Sequence, residues 1–200
     1  MTEPVSLSRE VGGVSLATQS RYIIKRNFWS IFERIFRILT PDGQVIMFVK
    51  HPVLRLREEF QVFADEAQTR PLLRVKSKQV IAINFSYLIT DANTGELLGS
   101  VEKRGLRSIV RDKFLVYDAE RREVGYCEEQ GASLLRRFIP LLTSHHAIFA
   151  EGQQVADIRQ VFRFFTKEFE VEMTPGVADP RFVLACALLA LIAEARREDA

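Results

Sequence analysis

The chain has 200 residues, of which 47% are hydrophobic and 27% are charged, and its formal net charge is +2. This length and apolar content predict a single globular domain and exclude a disordered chain. The nearly neutral charge excludes a strongly basic protein, so we expect no nucleic-acid partner. The two cysteines are too few for a disulfide framework and favour a reducing compartment, so we expect a cytoplasmic protein.

Residues 1–20 are rich in Ser, Thr and Gly and contain no long apolar run. They predict a flexible leader and exclude a secretory signal peptide. From residue 21 onward the chain consists mostly of short apolar runs separated by turn signals. We therefore assign residues 21–200 to one domain.

The apolar runs predict about twelve β-strands joined as hairpins. Turn signals lie near 40–43, 65–71, 91–95, 118–122 and 151–153. The segment 28–39 also fits helical spacing, but the turn that follows favours a strand, and 132–142 fits a short helix that ends at Pro140. The predicted strands lie near 21–26, 33–39, 44–50, 58–64, 71–77, 80–90, 97–103, 110–117, 123–129, 145–150, 154–162 and 167–173.

Small residues recur at one position of the predicted hairpins. Gly99, Gly125 and Ala156 each occupy the second position of the run that leaves a turn. A residue without a large side chain suits a place where the backbone or a bulky neighbour approaches closely. We therefore expect tight contacts at these positions of the strands.

The last predicted element is a helix over about 180–197. Asp179 is a good N-cap, and Pro180 suits the first helical position. The apolar run Phe182–Ala193 has no polar stripe, so the helix must be buried on every side. The 12 residues of this run are fewer than the roughly 20 that a transmembrane helix needs. They span about 18 Å, which suits a helix inside a closed sheet.

These elements together define a mainly β fold. We expect about twelve antiparallel strands with one apolar face each, and one helix that is apolar all round. A barrel closed around a buried hydrophobic C-terminal helix accommodates both. Closure also removes exposed strand edges.

Three stretches resemble the tubby C-terminal-like superfamily, which includes tubby domains, phospholipid scramblases and LURP-one-related proteins. They are Ile89–Asp91 through Gly95 to Leu98–Val101, then Val116–Asp118 to Val124–Gly125, and Phe169–Val171 followed by Asp179–Arg181 and the apolar helix. The resemblance covers residues 20–197 and is closer to the small LURP-one-like and scramblase-like branch. It implies a twelve-stranded barrel around a C-terminal helix, in a module that is not an enzyme.

The chain departs from the animal scramblases in ways that weaken a lipid-scrambling interpretation. It has no Pro-rich leader, no cysteine cluster for palmitoylation and no dense acidic segment before the helix. Glu168, Glu170, Glu172 and Asp179 are the acidic residues nearby, and a solvated strand face explains the first three better than a calcium site. A small-ligand-binding role is also less favoured, because the helix is expected to fill the barrel.

Residue types that carry catalysis are present but not in productive patterns. His145 and His146 are adjacent, so on a strand they point to opposite faces and do not share a metal easily. Ser144 lacks the G-x-S-x-G context of a nucleophile elbow, and Cys186 lies within the apolar helix, where a thiol behaves as a small hydrophobic group. We predict no catalytic residue, no metal site, no cofactor and no enzyme activity.

Two segments combine basic and apolar residues. In 103–113 the candidates for binding lipid headgroups are Lys103, Arg104, Arg107, Arg111 and Lys113. In 133–142 the candidates for contact with a membrane are Leu134, Leu135, Arg136, Arg137, Phe138 and Ile139. The alternatives are a polar outer strand face for the first segment and a loop packed on the barrel for the second.

Two hypotheses for function follow. The first is a non-enzymatic module that binds an anionic phospholipid surface peripherally, with Phe28 and Trp29 beside Lys25 and Arg26 as a third possible contact. The second is a soluble scaffold that binds an unidentified protein without dependence on lipid. The location expected under the first hypothesis is cytoplasmic and peripheral at the membrane.

Overall fold

The computed structural model describes residues 10–11, 13–27, 33–52, 59–81, 84–103, 113–130, 143–161, 163 and 166–198. Its elements begin with a small hairpin, β1 (Glu10–Val11) and β2 (Val14–Ser15), and end with one helix, α1 (Pro180–Glu198). Between them lie β3 (Arg21–Asn27), β4 (Glu33–Leu39), β5 (Val45–Pro52), β6 (Glu59–Phe63), β7 (Pro71–Ile81), β8 (Asn84–Asp91), β9 (Leu97–Lys103), β10 (Lys113–Tyr117), β11 (Glu123–Glu129), β12 (His145–Ala150), β13 (Gln153–Val161) and β14 (Thr166–Met173).

The strands β3 to β14 form a closed antiparallel barrel in which each strand pairs with its neighbours in sequence. β14 closes the barrel by pairing with β3, with Phe169 opposite Ile24 and Val171 opposite Tyr22. These four side chains are buried, because alternate residues of each strand face the interior. The predicted twelve-stranded barrel is confirmed.

The helix α1 lies in the core of the barrel, as its all-round apolar surface predicts. The side chains of Val183 to Ile192 are all buried and pack with inward-facing residues of the strands. Asp179 caps the helix, since its Oδ1 accepts a hydrogen bond of 2.9 Å from the backbone N–H of Arg181. The predicted central helix is therefore confirmed.

The small residues predicted at tight positions lie against neighbouring strands or the helix. A Cβ atom on Gly99 would lie 2.6 Å from Cζ of Phe182 on α1 and would overlap the carbonyl oxygen of Tyr117. A Cβ atom on Gly125 would overlap the carbonyl oxygen of Phe149 on β12. These contacts confirm the close approach expected at these two glycines.

The N-terminal hairpin extends the core at one end of the barrel. Val11 and Leu16 are buried, and the hydroxyl of Tyr22 donates a hydrogen bond of 3.1 Å to the carbonyl oxygen of Leu16. Burial raises the pKa of Tyr22 to about 12. The two-residue strands were not predicted, and the flexibility of residues 1–20 stays a prediction.

Because the strands alternate in direction, the segments between them alternate between two ends of the barrel. We call one the turn end; it carries 40–44, 64–70, 92–96, 118–122 and 151–152, together with 174–179, which leads into α1. We call the other the connection end; it carries the connections 28–32, 53–58, 82–83, 104–112, 130–144 and 162–165. Most residues of the connections lie outside the described part of the chain, but the strand ends that they join are described.

Candidate functional site

The segments assigned to the two ends of the barrel differ in charge. The segments at the turn end hold eight acidic and three basic residues, a net charge of −5. The connections at the opposite end hold eight basic and two acidic residues, a net charge of +6. A formal charge of +2 for the whole chain therefore conceals two sets of segments with charges of opposite sign.

Hydrophobic residues follow the same division. They make up 22 of the 41 residues in the connections but only 6 of the 30 residues in the turn-end segments. In sequence, the connections therefore combine positive charge with apolar residues, whereas the turn-end segments are acidic and polar. This combination is typical of surfaces that contact anionic membranes.

The two segments singled out in the sequence both belong to the connection end. The connection 104–112 joins β9 to β10, and 130–144 joins β11 to β12. Because β9, β10, β11 and β12 are consecutive around the barrel, the strand ends that carry these segments are neighbours at one rim. Arg104, Arg107, Arg111 and the six candidates Leu134, Leu135, Arg136, Arg137, Phe138 and Ile139 lie outside the described residues.

Lys103 and Lys113 are the two lipid-headgroup candidates that the structure describes, and both lie at the rim of the connection end. The ammonium of Lys113 lies 3.7 Å from the ring centroid of Tyr126, and Lys113 is exposed and stands opposite Glu128 in the strand register. The ammonium of Lys103 lies 5.7 Å from the ring centroid of Phe114, a buried residue. Each lysine thus lies over a ring of the next strand, and Lys113 lies on the outer face.

A polar layer lies inside the barrel near the connection end. His146 Nε2 is 3.0 Å from Glu194 Oε2 of α1, and the two side chains are 1% and 5% exposed. Glu129, directly opposite His146 in the register, is also buried. Arg34 on β4 and His51 on β5 form a second opposed pair of buried residues. Arg34, His51 and Glu129 were not predicted as part of a site. Their position on the inward face of each strand is the feature that could have identified them.

Ser144, His145 and His146 do not form a catalytic group. Ser144 Oγ is 3.2 Å from Gln160 Oε1, whereas His145 Nε2 is 2.6 Å from Asp157 Oδ1. His145 is 39% exposed while His146 is 1% exposed, so the adjacent histidines face opposite sides of the wall, as predicted. Asp157 also binds Arg159 Nε at 2.6 Å, so one carboxylate contacts both His145 and Arg159.

The start of the helix is bound to the turn end by a buried ion pair. Arg181 donates from Nη1 to Asp91 Oδ2 at 2.6 Å and from Nη2 to Asp179 Oδ2 at 2.8 Å. Burial alone would raise the pKa of Asp91, but hydrogen bonds from Arg181 and from the backbone N–H groups of Asn93 and Thr94 outweigh it, and the pKa is lowered. The arrangement positions the start of the helix against the end of β8.

The described residues provide few other places for chemistry. They contain no group of three His, Cys, Asp or Glu side chains that could hold a metal ion. Cys127 and Cys186 are buried free thiols, and burial raises the pKa of Cys186 well above its usual value. A cleft of about 490 Å³ lies at the turn end, lined by residues that include Val11, Leu72 and Arg181.

None of the helical structure in the described part of the chain has the length and hydrophobicity of a membrane span.

The barrel closed around an apolar helix agrees with the fold that the resemblance to the tubby C-terminal-like superfamily implies. The family model of LURP-one-related proteins matches residues 20–190, and the chain belongs to this family. The fold is similar to the X-ray structure of a protein from Arabidopsis thaliana, with 15% sequence identity and a TM-score of 0.51 over 90% of this chain and 93% of that chain. At this identity the likeness concerns the fold alone. A search of curated proteins finds no matching relative.

Proposed function

We propose that this protein is a non-enzymatic module that binds anionic phospholipid surfaces peripherally through its connection end. The observation that carries the proposal is the charge of +6 and the high apolar content of the connections, which the alternating strands place at one end of the barrel. Membership of the LURP-one-related family supports a non-enzymatic role.

The physical basis is the addition of two weak attractions. Each Lys or Arg close to an anionic membrane contributes about 1 kcal/mol, and the contribution falls off within a Debye length. Apolar and aromatic side chains add burial at the boundary between headgroups and acyl chains. The acidic turn end would be repelled by the same surface, so the separation of charge also orients the barrel. The cytoplasmic leaflet carries the anionic lipids that such a surface recognises.

Co-sedimentation with vesicles tests the proposal. We expect the protein to bind vesicles that contain phosphatidylserine and to bind neutral phosphatidylcholine vesicles much less. The variant Arg136→Gln/Arg137→Gln removes two charges from the connection end and should weaken binding by about 2 kcal/mol.

A matched control exists at the other end of the barrel. Arg121→Gln/Arg122→Gln removes the same charge from the turn end, where both residues are exposed and Arg122 binds Asp118 at 2.7 Å. This variant should bind vesicles as well as the wild type does. Equal and negligible binding of the wild type to both kinds of vesicle would sink the proposal, and recovery of a stable protein partner without lipid would then favour a soluble scaffold.

A further inference from the structure

A second charge asymmetry runs around the circumference of the barrel. Arg74, Lys76 and Lys78 alternate along β7 and are all exposed, so they form a ridge on the outer face of the wall. Glu59 of β6 lies 3.6 Å from Arg74 and 3.9 Å from Lys76. All three of these side chains are about half exposed or more, and such pairs hold their charges only weakly.

Other exposed lysines extend the ridge to both sides. Lys50 on β5 and Lys113 on β10 are exposed, and the acidic residue on the outer face of β9 is Glu102, opposite Ser86 in the register. The outer wall from β5 to β10 therefore presents more basic than acidic side chains in its described residues. We call it the basic wall.

The wall on the far side of the barrel has the opposite character. Glu168, Glu170 and Glu172 alternate along the outer face of β14, and Asp157 lies on neighbouring β13. The basic residues here are bound to these acids. Lys25 and Arg163 contact Glu168 at 3.5 Å, and Arg21 contacts Glu172 at 3.4 Å.

We propose that the barrel binds an anionic lipid surface in a tilted orientation, with the basic wall turned toward the lipid and the β13–β14 wall turned away. This inference rests on the proposed function and assigns the face that makes the contact. An anionic membrane is the partner that the ridge fits, because the ridge continues into the basic, apolar connection end.

Distance along β7 makes the tilt testable. At about 3.3 Å per residue, Lys76 is about 16 Å and Arg74 about 23 Å from the last residue of the strand, Ile81. A Debye length at physiological ionic strength is about 8 Å. In an upright barrel that meets the lipid at the tip of the β7–β8 hairpin, these two side chains would contribute little to binding, whereas in a tilted one they reach the headgroups.

Two variants with equal loss of charge separate the orientations. Arg74→Gln/Lys76→Gln removes the part of the ridge farther from Ile81. Arg21→Gln/Arg159→Gln removes two exposed cations from the side of the barrel that holds the β13–β14 wall. Arg159 lies only two residues from the end of β13 at Val161. If the barrel bound upright, the second variant would therefore weaken binding more than the first. Each cation that contacts the surface contributes about fivefold to binding.

The measurement is partitioning onto phosphatidylserine vesicles, with thermal unfolding to confirm that both variants fold like the wild type. We expect Arg74→Gln/Lys76→Gln to bind at least about fivefold more weakly and Arg21→Gln/Arg159→Gln to bind within about twofold of the wild type. Equal losses, or a larger loss in the second variant, would overturn the tilt while the wild type still binds. A wild type that binds no anionic vesicle would overturn the proposed function together with this inference.

Discussion

Two glycines of the barrel wall occupy places where neighbouring backbone leaves no room for a side chain. Gly125 has an ordinary backbone conformation, so the close approach of the Phe149 carbonyl oxygen alone requires a glycine there. We expect Gly125→Ala to lower the free energy of unfolding by about 3 kcal/mol, because a carbonyl in a paired strand moves only with its strand.

The control for this substitution is Gly176→Ala. Gly176 has a φ of +79° but no atom within 4 Å of its added Cβ, so the substitution incurs only backbone strain of about 1 kcal/mol. Urea denaturation of both variants measures the difference. Equal losses would mean that the wall relaxes around the new methyl group.

The requirement for small residues could be predicted from the sequence, whereas their partners could not. The repeated position of Gly99 and Gly125 after each turn indicated a close approach. That Phe182 of the helix fills the space above Gly99 depends on how the helix sits in the barrel. No local pattern specifies that contact.

The buried pair of His146 and Glu194 links β12 to the last turns of the helix. At 1% and 5% exposure, removing one partner leaves the other short of a hydrogen bond away from water. We expect His146→Leu to lower the free energy of unfolding by about 2 kcal/mol. The double variant His146→Leu/Glu194→Leu should lose at least about 1 kcal/mol less than the sum of the two single variants.

A double-mutant cycle followed by chemical denaturation measures this coupling. Leu115→Ala on β10, which is only half-buried, serves as the partner for a second cycle with Glu194→Leu and should show additive losses. Additive losses for His146 and Glu194 would contradict a direct contribution of their hydrogen bond.

At the scale of elements, the start of the helix is held by Asp91 at the end of β8. The pKa of Asp91 is lowered in the folded protein, so above its unfolded pKa of about 3.9 the ionised carboxylate stabilises the fold. In the acidic range the unfolded chain binds the proton first, and this stabilisation is lost as the pH falls through the lower, folded pKa.

We therefore expect the wild type to lose stability between about pH 5 and pH 2 more steeply than Asp91→Asn does. At pH 7 the variant should already be less stable by about 2 kcal/mol, because the amide binds Arg181 without a charge. Denaturation curves at pH 7, 4 and 3 test both statements. Parallel pH profiles for the two proteins would contradict the role of this carboxylate.

The elements differed in how well the sequence predicted them. Strands such as β3 and β6 have alternating apolar residues that face the core, and α1 has a long apolar run, so periodicity predicted all of these. The hairpin of β1 and β2 has strands of two residues each, which are too short to show a period. The inward-facing Arg34 and His51 were also missed, because polar residues on an apolar face look like interruptions of the pattern.

At the scale of the whole molecule, the separation of charge follows from strand alternation and not from any one motif. The basic segments 103–113 and 133–142 were visible in the sequence, but their common end becomes evident only when every connection is assigned to one end of the barrel. The acidic turns, which individually look like ordinary polar hairpin turns, all belong to the turn end. Binding of anionic lipid through the connection end should weaken with salt, because exposed charges are screened.

The single tryptophan of the chain makes this polarity measurable. Trp29 belongs to the connection 28–32, which joins two strand ends at the connection end. We expect phosphatidylserine vesicles to shift its emission to shorter wavelength, and about 0.5 M salt to reverse the shift by screening. A reporter at the turn end is obtained with Trp29→Phe/Val177→Trp, since Val177 is 51% exposed. Its emission should not change with the same vesicles. A shift in the emission of the turn-end reporter, or a shift at Trp29 that salt does not reverse, would mean that the barrel does not bind the lipid electrostatically through its connection end.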